Sequence, residues 1–261
     1  MSSIVTSQGV LHYEAYGRGR PVILLHGWIN SWGVWQDSML HLADKCGYKV
    51  YALDFWGFGE SDKSNTPPFK LASYVDMVDQ FMEALGILRA PVLGHSMGGT
   101  VALRLALEKP DRVTRVAAVG SPIVGGSLNF FLKLAGVDWI AQTVWRVPSL
   151  LRMIILANTL GDSERVRKMI LRDVERSTTQ SFFLSIGDLH HTDLRPQLRQ
   201  LKIPTLGVYG RADNIVNPNQ AHVLESAVPG AIIQIMMRSR HFVMMDEPEA
   251  FHNTIADFLK N

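Results

Sequence analysis

The stretch from Pro91 to Thr100, Pro-Val-Leu-Gly-His-Ser-Met-Gly-Gly-Thr, constrains this chain more than any other, because a short apolar run must turn within a few residues into a helix. Thr100 to Leu107 has helical spacing and closes at Pro110. A serine in so sharp a turn sits on strained backbone, and small residues two positions to either side are needed for strand and helix to approach. Gly94 and Gly98 fill those positions, completing a G-x-S-x-G pattern that lifts the Ser96 hydroxyl above a sheet edge. A glycine-rich turn of this kind can also cradle a phosphate, but the Gly-Lys-Ser/Thr ending of such loops is missing.

The rest of the chain supplies the sheet. Val22 to Leu25 is a continuous apolar run, the pattern of a strand buried on both faces, and Gly9 to Tyr16 alternates like an edge strand. Val34 to Leu42 and Leu71 to Leu85 are helical in spacing, with Lys49 to Leu53 strand-like between them. Val113 to Val119, Pro204 to Tyr209, Gln220 to Ala227, Ala231 to Met236 and Ala250 to Leu259 continue the alternation. Strand and helix in turn predict an α/β fold: a mostly parallel sheet with right-handed crossovers and helices on both faces.

Between Ser121 and Pro196 the rhythm breaks. Phe130, Phe131, Leu134, Trp139, Ile140, Val144 and Trp145 recur at helical spacing, Leu150 to Leu156 adds a second apolar helix, and Arg165 to Arg176 and Phe182 to Leu189 lead back. We read this as an inserted helical cap, with Phe130, Trp139 and Trp145 as candidates to line a pocket.

A serine hydroxyl is a weak nucleophile and needs a base, itself oriented by an acid. Behind a G-x-S-x-G elbow the acid comes next in the chain and the histidine last. Asp213 stands just beyond the strand ending at Tyr209, and His241 follows the last strand, so both fall on loops at the sheet edge that carries Ser96. The turn Gly120-Ser121-Pro122 offers no rival carboxylate. Asp246 and Glu247 are placed at the start of the final helix, and Asp54 and Asp62 in a tight loop bonding backbone amides. The anionic intermediate of acyl transfer needs two preorganised donors. The backbone amides of Met97 and Trp28 are expected to supply this oxyanion hole, with the Trp28 ring roofing the pocket.

Among nine histidines, His12, His41, His222 and His252 read as surface positions, and His26 and His95 as bonded locally within their loops. The pair His190 and His191 has no carboxylate at ligand spacing, so no metal is expected. A net charge of +2 lacks the basic stripe of a nucleic-acid surface, and the one cysteine, Cys46, excludes an intrachain disulfide and a four-cysteine zinc site. With no signal-like start and no apolar stretch long enough to span a bilayer, the expectation is a cytoplasmic protein acting on a small molecule.

Four motifs in order, His26-Gly27-Trp28, Asp54-x-x-Gly57-x-Gly59-x-Ser61-Asp62, Gly94 to Gly99, and Gly210-x-x-Asp213 with His241, resemble the α/β-hydrolase superfamily from about Val10 onward. The resemblance implies an eight-stranded sheet with a core of residues 1–121 and 197–261 and a cap of residues 122–196. It also implies carboxylic-ester hydrolysis without a cofactor as the commonest activity. Haloalkane dehalogenases and epoxide hydrolases use aspartate where this chain has Ser96. Cofactor-free peroxidases carry a proline beside the oxyanion loop, and carbon–carbon bond hydrolases a glycine- and proline-rich run after His-Gly; Trp28 to Trp32 has neither.

The His-Gly-Trp start and Thr192-Asp193-Leu194-Arg195 are similar to small carboxylesterases of the pimeloyl methyl-ester esterase group, in which basic cap residues hold a carrier protein. Here Arg146, Arg152, Arg165, Arg167, Lys168, Arg172 and Arg176 alternate with Asp162, Glu164, Asp173 and Glu175, as on a solvated face with i,i+4 pairs. The leading expectation is a carboxylesterase for short to medium acyl chains. A carrier-bound methyl ester, a carbon–carbon bond or a lactone are the alternative substrates, and a catalytically silent receptor is the alternative outside enzymes.

Overall fold

The computed structural model describes residues 2–64, 69–129, 153 and 163–260. Phe130, Trp139 and Trp145, with Arg146 and Arg152, lie outside the described residues. Eight strands form one sheet: β1 (Ser2–Thr6), β2 (Gly9–Gly17), β3 (Arg20–Leu25), β4 (Tyr48–Leu53), β5 (Ala90–His95), β6 (Val113–Val119), β7 (Thr205–Gly210) and β8 (Ile232–Met236). Their order is β1-β2-β4-β3-β5-β6-β7-β8, antiparallel at the first two pairings and parallel at the rest. Val22 to Leu25 are fully buried at the centre. Each such side chain contributes about 1.5–3 kcal/mol on burial.

The expected edge strand is not the edge. Gly9–Gly17 pairs on both sides, and Ser2–Thr6 takes the outer place with alternate residues half-buried and exposed. Around the sheet stand α1 (Gln36–Cys46), α2 (Leu71–Ala84), α3 (Met97–Glu108), α4 (Glu164–Glu175), α5 (Thr179–His190), α6 (Arg195–Leu198), α7 (Gln220–Ala227), α8 (Val243–Asp246) and α9 (Pro248–Lys260). The helix expected from Val34 is split: Ser31 caps a 3-10 turn over Trp32–Trp35, and α1 follows. Trp35 is fully buried and packs on Phe251 of α9, while α2 packs on α3.

Helices α4 and α5 belong to the insertion between β6 and β7. Ser163 caps α4 by accepting from the Val166 amide, and Thr178 with Ser181 forms a capping box on α5. At the base of the insertion Val124 bridges Asp193, and the Leu194 amide donates to the Ile123 carbonyl at 3.0 Å.

The loop after β4 is knotted by Asp54. Its buried carboxylate accepts from His12 Nδ1 at 2.8 Å, the Trp32 amide at 2.6 Å and the Glu60 amide at 2.9 Å. Two histidines expected at the surface are therefore interior: His12 is buried on Asp54, and His252 is buried against His41 and bonded to Ser38. Burial opposes charge on His12 more than any single influence, yet the hydrogen bond and charge of Asp54, with Glu14, together leave its pKa above the usual 6.5. Burial likewise pushes Asp54 up, but the His12 bond, His26 and the Glu60 and Trp32 amides outweigh it and hold the carboxyl below the usual range.

The His12 contribution to stability is thus complete below about pH 6.5 and is lost as pH rises through the raised value. That of Asp54 is present above the ordinary carboxylate range and lost as pH falls through the lowered one. The expected result is that His12→Gln lowers Tm most near pH 5–6 and progressively less on the alkaline side. Thermal melts of the two proteins across pH check it, and a pH-independent difference counts against the ion pair.

Candidate active site

Ser96 stands between the end of β5 and the start of α3 with φ 51° and ψ −121°, a positive φ on a residue other than glycine. Its amide donates to the Val119 carbonyl at 2.8 Å, so the elbow is pinned to β6. A Cβ on Gly98 would strike the carbonyl oxygens of Leu25 and His26, and one on Gly94 the carbonyl of Gly98. The glycines let the end of β3 close onto the elbow. Where a Cβ on Gly27 would stand, Ser96 Cβ and His95 Nδ1 are each 3.0 Å away. The His26-Gly27-Trp28 turn therefore lies directly against Ser96.

Asp213 and His241 stand together. Asp213 Oδ1 accepts from the amides of Ile215 and Val216 at 2.8 and 3.0 Å, which leaves Oδ2 to accept from His241 Nδ1 at 2.8 Å. Both residues are buried. The loop that carries His241 is stapled by two carboxylates: Asp246 ends α8 and so does not begin the final helix, whereas Glu247 stands directly before α9 and its carbonyl accepts from the Phe251 amide. Asp246 accepts from the Arg240 amide at 2.8 Å, while Glu247 accepts from the Arg238 amide and the Ser239 hydroxyl at 2.8 and 2.7 Å.

His241 is held on the flank of Ser96. Its carbonyl accepts from His95 Nε2 at 3.0 Å, its ring lies 4.7 Å from that of His95, and its Nδ1 is 3.4 Å from the place of a Cβ on Gly120. Complete burial pushes the His95 pKa well down, so the ring is neutral and its Nε2 carries the proton it donates. Ser96 Oγ makes no hydrogen bond among the described residues. Nucleophile–base bonds of this kind commonly tighten only once substrate is bound.

Neither the Trp28 nor the Met97 amide has a hydrogen-bond partner among the described residues, and Met97 is the first residue of α3, where amides lack helical partners. The Trp28 indole does not stand free. Its Nε1 donates to the Phe182 carbonyl of α5 at 2.8 Å, and the two rings are 4.4 Å apart. His26 is bonded locally, its Nδ1 to the Gly27 carbonyl at 2.7 Å, while its Nε2 accepts from the Phe55 amide at 2.9 Å. His191 turns back to the Gly187 carbonyl at 2.7 Å. Among the described residues no three His, Cys, Asp or Glu side chains gather as a metal site would require.

The charged face of α4 is only partly a solvated one. Lys168 pairs with Glu164 at 2.8 Å along the helix, while Arg165 and, just past the helix, Arg176 make exposed pairs with Asp37 and Glu60 on the sheet domain. Asp173 is fully buried and accepts from Ser31 Oγ at 2.9 Å. Helical spacing could not show this, since the partner is remote in sequence.

The family described as alpha/beta hydrolase fold matches residues 20–159, more than half of the chain. This chain belongs to the α/β-hydrolase fold family. Among curated relatives of this hydrolase-fold chain, 2-hydroxy-6-oxo-6-phenylhexa-2,4-dienoate hydrolase of Burkholderia cepacia is 29% identical over 262 residues, covering 96% of this chain and 91% of the relative. Pimeloyl-[acyl-carrier protein] methyl ester esterase of Vibrio campbellii is 28% identical over 258 residues, covering 95% and 98%. Among solved structures, the enol-lactonase from Burkholderia xenovorans superposes with a TM-score of 0.86 at 23% identity, covering all of both chains. That likeness bears on the fold alone.

Proposed function

We propose that this α/β-hydrolase is a serine esterase that cleaves carboxylic esters of short to medium acyl chains through an acyl-enzyme on Ser96. The observation that carries the reading is the buried Asp213–His241 pair held on the flank of a serine with positive φ at a strand-to-helix elbow. Ser96 Oγ attacks the ester carbonyl and passes its proton to His241 Nε2, while Asp213 fixes the tautomer from Nδ1. The amides of Trp28 and Met97 meet the charge on the carbonyl oxygen. Collapse expels the alcohol with the proton from His241, and a water activated by the same imidazole releases the acid.

Residues 122–196 then serve as a cap that selects the acyl group. No cofactor enters these steps. A single free cysteine, Cys46, fits work in the reducing cytoplasm.

One finding favours a second reading. The substrate named for the Burkholderia cepacia relative holds no ester, so its hydrolysis must break a carbon–carbon bond. The experiment that separates the readings offers the protein p-nitrophenyl esters of graded chain length beside a 2-hydroxy-6-oxo-dienoate. Turnover of the esters, with a fluorophosphonate attached to Ser96, is the expected result. Turnover of the dienoate alone would replace the first reading with the second, and absence of labelling would point to a silent receptor.

A further inference from the structure

The turn against Ser96 is held from outside the sheet. Trp28 Nε1 donates to the Phe182 carbonyl of α5 at 2.8 Å, and Ser31 Oγ donates to Asp173 Oδ2 of α4 at 2.9 Å. Both bonds join the insertion to the segment that presents the Trp28 amide. Between them stands Ile29 with φ 53°, a β-branched residue in the left-handed region, which persists only where the surroundings over-determine it. Asp173 is 0% and Ser31 2% exposed. A buried carboxylate is retained only with partners, and here they are Ser31 and Arg172, whose Nε donates to Oδ1 at 2.8 Å.

We infer that Asp173 is a positioning residue: acting through Ser31, and together with the Phe182 carbonyl, it holds the strained Ile29 turn so that the Trp28 amide faces the oxyanion formed at Ser96. The inference rests on the esterase reading above. It makes the insertion part of the rate machinery as well as a filter for substrates. Transition-state donors must be held to within a fraction of an ångström, and loosening them lowers kcat while leaving ground-state binding in place.

The test compares wild-type protein with Ser31→Ala, Asp173→Ala, Asp173→Asn and Arg176→Ala, reading p-nitrophenyl ester kinetics and the affinity for a trifluoromethyl ketone. The ketone adds reversibly to Ser96 and places an oxyanion in the same hole. Ser31→Ala and Asp173→Ala are expected to lower kcat about 10- to 100-fold with KM little changed, and to weaken the ketone by a similar factor. Ser31→Ala combined with Asp173→Ala should be no worse than either single change, and Asp173→Asn, whose amide oxygen still accepts from Ser31, should recover most of the rate.

Arg176→Ala breaks a different link between insertion and core, the 2.6 Å pair with Glu60, and should leave kcat unchanged. Should Asp173→Ala fail to fold, Ser31→Ala decides alone. Wild-type kcat and ketone affinity in Ser31→Ala overturn the inference, as does a change confined to KM or an equal loss in Arg176→Ala. A wild-type protein that neither turns over esters nor takes a fluorophosphonate overturns the esterase reading itself.

Discussion

Replacing Ser96 by alanine is expected to lower ester turnover by about three to six orders of magnitude while the protein stays folded. The hydroxyl makes no hydrogen bond among the described residues, so its removal leaves no buried partner unsatisfied. The elbow is held instead by the Ser96 amide on Val119 and by the glycines at 94 and 98, which the substitution does not touch. His241→Ala should cost a similar factor, and the double variant little more, because a nucleophile without its base and a base without its nucleophile fail at the same step. Initial rates with a p-nitrophenyl ester, beside a far-ultraviolet spectrum, check both statements. A near-normal kcat in Ser96→Ala would remove the assignment.

Gly98→Ala is expected to be strongly damaging for the addition of a single methyl group. The added Cβ meets the carbonyl oxygens of Leu25 and His26, which are backbone at the end of the central strand β3 and cannot rotate away as a side chain could. Relief requires β3 and α3 to part, which opens the core and moves the Trp28 turn from Ser96. The expected cost is about 3 kcal/mol or more in urea unfolding, with activity lost in whatever folds. Gly47→Ala is the contrast, since nothing lies within 4 Å of its Cβ position and only the positive φ of 69° is opposed. There the loss should be about 1 kcal/mol. Equal effects at the two sites would show that the crowding at Gly98 is relieved at little cost.

The parts of the fold legible in the sequence are those whose cause is local. Val22 to Leu25 is apolar throughout because both faces of β3 are covered, and the elbow announces itself because its glycines are needed within two residues of Ser96. Asp213 and His241 could be read from chain order and from the strands they follow. What escaped was set by distant partners. Ser2–Thr6 carries no apolar run, since it pairs on one side only and stays half-exposed. His12 looks like any polar residue on a strand until Asp54 folds over it. Asp173 sits in a helix whose spacing suits a solvated face, yet it is buried and its partner across the insertion, Ser31, is 142 residues away.

The bridge between Val124 and Asp193 gives the insertion a narrow neck: the chain departs from β6 and comes back toward β7 side by side, about 5 Å apart. Evolution can exchange a segment held by such a neck without shifting the register of the sheet beneath it. The exchange is not free, however. On the positioning role proposed for Asp173, a donor segment must bring its own acceptor for the Ser31 hydroxyl and its own carbonyl for the Trp28 indole, or turnover is expected to fall. Lineages of this fold should therefore diversify first between the neck and Ser163, and keep the stretch from Glu164 to His190 as inherited ballast.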